Sequence, residues 1–195
     1  KGLLERLGIF RHLLSGLRTS GRDARFYQVT SPSRSGIPEY QALYKKLTQD
    51  IMEFNSRNED EPIVSIDQGI PPPENYRFMK EVDVMFVTPL EDGMNLVAFE
   101  YILANKHKDP ERRGILLLST SGASRVLKQK GFGEKDGVVF VNPMKPREAS
   151  EKALYALKKG LYLSDDLISY VEKQRRVEDW AKENIEAILN CRKAQ

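Results

Sequence analysis

The sequence has one cysteine, Cys191, in 195 residues. That excludes an internal disulfide and fits a reducing, cytoplasmic setting. Two histidines, His12 and His107, stand far apart with no second cysteine, so the usual zinc ligand spacings are absent. No run approaches the roughly 20 apolar residues that cross a bilayer, and no signal-peptide pattern is visible. Charge of one sign is also lacking: 31 basic against 28 acidic residues leave +3, too little to argue for nucleic acid. Basic pairs such as Lys45-Lys46 and Arg175-Arg176 alternate with acids and read as solvated helix faces. The opening Lys1-Gly2-Leu3-Leu4-Glu5 carries no methionine and reads as the interior of a longer protein.

What is present is alternation. Leu3, Leu7, Phe10, Leu14 and Leu17 have helical spacing over 3–18. A short strand over 24–29 leads into a Ser/Pro/Gly loop, 30–38. Pro38 suits the first turn of a helix running through Tyr40, Leu43, Leu47, Ile51 and Phe54. Strands follow at 62–66, 82–87, 114–118 and 138–141. Between and after them the pattern predicts helices at about 74–81, 95–105, just past 119–124, 147–160 and 164–190. Short apolar strands alternating with helices predict one α/β domain over 1–195, a parallel sheet covered by helices on both faces. Ligands of such sheets bind beyond the carboxyl ends of the strands, which singles out the loops 30–38, 88–95 and 119–124.

The loop Thr88-Pro89-Leu90-Glu91-Asp92-Gly93-Met94-Asn95 joins a buried strand to a helix. Gly93 permits close backbone approach and Asn95 is a natural helix cap. The N–H groups of the first helical turn then favour an anion such as a diphosphate. Glu100, one and a half turns on, is placed to accept hydrogen bonds from vicinal hydroxyls. An ordinary capped helix with a solvent-facing glutamate fits the same residues.

Asp92-Gly93-Met94-Asn95-Leu96-Val97-Ala98, followed one residue later by Glu100, resembles the donor-site signature of the trehalose-6-phosphate synthase family. The resemblance extends, in order, through Lys1-Gly2, Ser33-Arg34, Pro38-Glu39-Tyr40-Gln41, Asp83-Val84, Thr88-Pro89-Leu90, Gly114 to Ser119 and Val141-Asn142-Pro143. It implies the C-terminal, nucleotide-sugar-binding half of a retaining GT-B glycosyltransferase: a Rossmann-like, three-layer α/β/α domain. The activity implied is transfer of glucose from UDP-glucose to glucose 6-phosphate, giving trehalose 6-phosphate. It works without a cofactor or metal, and no Asp-x-Asp metal motif is present. Under that resemblance Asp92 and Lys1 are catalytic, Lys1 neutralising the donor diphosphate. Asp92 and the backbone of Gly93, Met94 and Asn95 hold the glucose hydroxyls; Leu96 and Val97 offer N–H groups to the phosphates. Glu100 binds the ribose, and Arg34 stands near the acceptor phosphate.

The partners implied are a nucleotide sugar, a sugar phosphate and the protein's own N-terminal GT-B domain, with no nucleic acid or membrane; homo-oligomerisation stays open. The closing helix, with Trp180 and Ile188, is expected to pack on that N-terminal domain, and the fragment alone is expected to be inactive. Departures from the family pattern are Glu91, Phe99, Gly36 and a long connection from Arg125 to Gly137. They leave open the donor base (UDP or GDP), another phosphorylated acceptor such as glycerol 3-phosphate, and a non-catalytic regulatory relative. A stand-alone nucleotide-binding or receiver-like domain is the remaining alternative.

Overall fold

The computed structural model describes residues 2–30 and 36–173. Lys1, Arg34, Arg175-Arg176, Trp180, Ile188 and Cys191 therefore lie outside the described residues. Among the described residues, five parallel strands alternate with seven α-helices in the order α1 (Leu3–Arg18), β1 (Phe26–Val29), α2 (Pro38–Asn55), β2 (Ile63–Ile66), α3 (Pro72–Glu81), β3 (Val84–Val87), α4 (Leu96–Ala104), β4 (Ile115–Ser119), α5 (Gly122–Gln129), β5 (Val138–Val141), α6 (Pro146–Lys159) and α7 (Asp165–Glu172). Short 3₁₀ turns over Pro110–Arg112 and Glu134–Asp136 precede β4 and β5; the sequence pattern does not predict them. Helix α7 ends at Glu172 with Lys173 as its C-cap, so the helix expected to run unbroken over 164–190 stops there; residues 174–195 lie outside the described ones.

The strands divide into two hydrogen-bonded groups rather than one continuous ladder. β1 pairs with β2, Phe26 opposite Ile63; β3, β4 and β5 pair in that order, with Val84 opposite Ile115 and Leu116 opposite Val138. β1 and β3 meet through side chains instead. Phe26 packs edge-on to Phe86 with ring centroids 5.4 Å apart, and stacks on Phe10 of α1 at 4.9 Å. From β1 the chain goes outward to β2 and returns to β3 on the other side. The space between β1 and β3 is thus the point where strand order reverses.

Strand side chains alternate between two cores. Phe26, Ile63, Phe86, Ile115, Leu117 and Val139 pack under α1, α2 and α6. Val87, Leu116, Leu118 and Val138 pack under α3, α4, α5 and α7. This is the three-layer α/β/α arrangement, and β4, buried along its whole length, is its centre. The α1–α6 pair owes its closeness to small residues: Gly8 approaches Pro146, Gly16 approaches Leu154, and Ala149, Ala153 and Ala156 are buried. At roughly 25 cal/mol per Å² of apolar surface buried, such close-packed layers supply the main folding drive.

Helix α4 is pinned by two buried polar side chains. The Tyr101 hydroxyl donates to the Val82 carbonyl at 2.8 Å, and burial pushes its pKa well above the ordinary phenol range. Asn105, the C-cap, donates to the Tyr101 carbonyl at 2.9 Å and accepts from the Gly114 N–H at 3.1 Å. With Ala98, Tyr101, Ile102 and Asn105 inward, Leu96, Val97 and Glu100 share the outward stripe, since residues three and four apart lie on one helix face. Removing either bond strands a buried backbone group, at a cost of about 1–3 kcal/mol. Urea unfolding should therefore show Tyr101→Phe and Asn105→Ala both destabilised by about that amount. A neutral result for both would mean that apolar packing alone sets the rotation of α4.

Candidate functional site

The β1–β3 gap opens into a cavity of about 1330 Å³. At the carboxyl end of the strands its lining includes Arg6, Thr30, Val87, Pro89, Glu91, Asp92, Asn95 and Val97. Here the 88–95 loop, picked out from the sequence, meets the switch point in strand order, the usual ligand position in open α/β sheets.

The loop is held from several sides. The buried Ser119 hydroxyl, at the end of β4, donates to the Pro89 carbonyl at 2.6 Å. The Gly122 N–H, first in α5, reaches the Asp92 carbonyl at 3.3 Å. Any side chain at 122 is barred, because a Cβ there would lie 1.6 Å from the Gly93 carbonyl oxygen. Ser121 caps α5 by accepting from the Ser124 N–H, and the Ser124 hydroxyl returns to Ser121. Two helix N-termini, of α4 and α5, thus converge on Asp92 to Asn95. Both contribute positive potential there.

Asn95 takes the role expected of it. It caps α4 by accepting from the Val97 N–H at 3.1 Å, and its amide donates to the Asp92 carboxylate at 2.9 Å. Asp92 is thereby oriented by its own loop. The Val97 N–H, expected to serve a phosphate, is engaged by Asn95 in this structure; Leu96 N–H precedes it at the helix start. Leu96 and Val97 are not core residues, being 62% and 39% exposed, and Met94 is 50% exposed. Glu91 and Glu100 are exposed as well. The structure therefore brings Asp92, Asn95 and Val97 onto one cavity wall, with Met94, Leu96 and Glu100 on the adjoining outward face. Lys1 and Arg34 lie outside the described residues.

Gly2, next to Lys1, has φ +66°, and a Cβ there would lie 2.0 Å from the Thr88 carbonyl oxygen. The start of α1 is thus pressed against the end of β3. That contact carries Arg6 to the site, a residue the motif does not single out. Its Nε donates to the Thr88 hydroxyl at 3.4 Å. Burial pulls its pKa down to about 10, so it remains a cation at neutral pH. A signal for it was in the sequence: Arg6 lies four residues before Phe10 and interrupts the apolar face of α1.

A glycosyltransferase family 20 model matches residues 1–190. Trehalose-6-phosphate synthase of Mycobacterium sp. (strain JLS) is 29% identical over 205 residues, covering 100% of this chain and 39% of that protein. A UDP-forming alpha,alpha-trehalose-phosphate synthase of Burkholderia xenovorans, in complex with glucose-6-phosphate, superposes with TM-score 0.68. It is 31% identical over 88% of this chain and 35% of its own. An E. coli trehalose-6-phosphate protein bound with UDP-2-fluoro glucose gives TM-score 0.75 at 26% identity, over 97% of this chain and 41% of its own. The chain spans about two fifths of the curated relatives it matches. The fold is the one expected from the sequence, that of GT-B trehalose-phosphate synthases. By the extent of the family match and the order of its motifs, the chain belongs to glycosyltransferase family 20.

Proposed function

We propose that this chain is a single donor-binding domain, the C-terminal half of a retaining glucosyltransferase that moves glucose from UDP-glucose to glucose 6-phosphate and forms trehalose 6-phosphate. The observation that carries the proposal is the 88–95 loop, clamped between α4 and α5 over the switch-point cavity, with Asp92 held by Asn95. Of the relatives named above, the Burkholderia xenovorans protein is a UDP-forming synthase in complex with glucose-6-phosphate, and the E. coli protein is bound with UDP-2-fluoro glucose.

In this reading Asp92 and the Gly93–Asn95 backbone grip the donor glucose, and Glu100 accepts from the ribose hydroxyls. Cleavage of the bond between glucose and the diphosphate leaves added negative charge on UDP. Lys1 and the N-terminus of α4 are the groups that offset it, preorganised rather than recruited from water. For the Val97 N–H to join them, Asn95 must give up its capping bond when the diphosphate arrives. The anomeric configuration is retained, and Arg34 together with an N-terminal domain completes the acceptor side. The protein works in the cytoplasm without a metal, and this fragment alone turns over nothing.

Exposed Glu91 beside Asp92 favours one second reading, a synthase with a different phosphorylated acceptor such as glycerol 3-phosphate. Full-length protein incubated with UDP-glucose and a panel of sugar phosphates should release UDP most rapidly with glucose 6-phosphate. No UDP release with any acceptor would overturn the enzymatic reading and leave a regulatory relative.

Two substitutions test the site itself. Glu100 is exposed, so Glu100→Ala should leave the unfolding midpoint unchanged while weakening UDP binding about tenfold, the value of a charge-assisted hydrogen bond. Equal affinity would refute the ribose assignment. Gly122→Ala forces Gly93 away from α5, and calorimetric titration should show UDP-glucose affinity falling more than UDP affinity, because the displaced loop faces the sugar. Identical losses for both ligands would argue against a sugar-facing loop.

A further inference from the structure

The upper cavity has an unbalanced charge inventory. Glu91 and Asp92 place two carboxylates at its rim, and the described cations that line the cavity elsewhere, Arg22, Arg25, Arg112 and Arg113, belong to segments at the amino ends of β1 and β4. At the carboxyl end Arg6 is the one cation among the described residues. No acidic residue among those described pairs with it; its recorded partner is the neutral Thr88 hydroxyl at 3.4 Å, a long bond. The half-buried guanidinium is thus left without a counter-charge among the described residues.

A second polar group at the same height is short of a partner. Phe10 of α1 stacks on Phe26 of β1. One helical turn back from Phe10 is Arg6, about 6 Å along the axis; two residues on from Phe26, on the same strand face, is Gln28, about 6.6 Å along. Gln28 is fully buried, its amide donates to the Thr30 hydroxyl at 3.2 Å, and its Oε1 has no hydrogen-bond partner. A half-buried cation on the cavity wall and a buried acceptor behind that wall, both short of partners, thus stand at the same height, beside the donor loop.

We propose that Arg6 is a further binding residue of this site, its guanidinium taking phosphoryl oxygens of the ligand opposite the α4 N-terminus, with Gln28 as the positioning residue that accepts from it. The inference rests on the nucleotide-sugar reading above. It also accounts for how a site with Glu91 on its rim accepts an anion: the counter-charge comes from α1 rather than from the motif loop. Planar guanidinium matches two phosphoryl oxygens at once, which an ammonium does not.

The test uses the full-length protein and titrates UDP, uridine and glucose 6-phosphate separately into wild type, Arg6→Met and Arg6→Lys, with the unfolding midpoint of each variant measured without ligand. Arg6→Met should hold the midpoint, because a half-buried charge with no acidic partner is removed and the stem kept, while UDP affinity falls 10- to 100-fold and uridine affinity is unchanged. Arg6→Lys should recover only part of the loss. If glucose 6-phosphate binding falls instead of UDP binding, the phosphoryl group served is the acceptor's. Arg6→Met binding both phosphates as wild type does, or losing UDP and uridine equally with a lowered midpoint, overturns the inference and makes Arg6 structural. Wild type that binds no UDP at all fails the nucleotide-sugar reading first, and that result is read before any variant.

Discussion

Helix α4 can lie on this sheet in one rotation. Its buried face is set by Ala98, Tyr101 and Ile102, and the two polar members, Tyr101 and Asn105, each bond backbone that belongs to the strands, Val82 before β3 and Gly114 before β4. A rotation of one residue, about 100°, would strand both groups in the core. Leu96, Val97 and Glu100 are left facing out, and Asn95 is left at the mouth of the cavity. The outward face of α4 is thus fixed from below, by bonds on the opposite face of the helix.

From above, the loop is fixed by close approach. Ser119 holds the Pro89 carbonyl, Gly122 lies against Gly93, and Gly2 lies against Thr88. The three contacts tie the chain just after β3 to the end of β4 and to the starts of α5 and α1, which keeps the N-termini of α4 and α5 aimed at four residues. Such preorganisation matters most where charge develops during reaction, because dipoles already in place need not reorient. The Asn95 bond to Val97 is the exception, a capping bond worth about 1 kcal/mol that, under the proposed function, a phosphate would have to displace to reach the same N–H.

Much of this was legible in the sequence because it is local. The periodicity of Leu3, Leu7, Phe10, Leu14 and Leu17 gives α1 to the residue, and Asn95 before an apolar run gives the cap of α4. The motif residues Asp92, Asn95 and Val97 do share one cavity wall. What stayed hidden is non-local. Nothing in Phe26 or Phe86 alone says that β1 and β3 meet by rings rather than by a backbone ladder, so a continuous sheet was the natural expectation. Gly122 reads as an ordinary glycine of the 119–124 loop, whereas it opens α5 with Gly93 placed against it. Val97 reads as a core residue in an apolar run, yet it is half exposed because the helix is rotated by partners farther along the chain.

The exposed residues around the site carry a further argument. Leu90, Met94, Leu96 and Val97 form an exposed apolar lip beside a cavity lined by Arg6, a half-buried cation without an acidic partner among the described residues. Apolar lip and unbalanced charge have opposite demands: the first gains by being covered, the second by being reached. A ligand with an anionic centre, covered on its outer side by another protein surface, meets both at once. A nucleotide sugar alone would satisfy Arg6 and leave the lip in water; a protein surface alone would bury the lip and leave Arg6 unpaired. Under the proposed function the arrangement is one wall of a two-sided cleft, and closing over the ligand would then be energetically coupled to binding its phosphates.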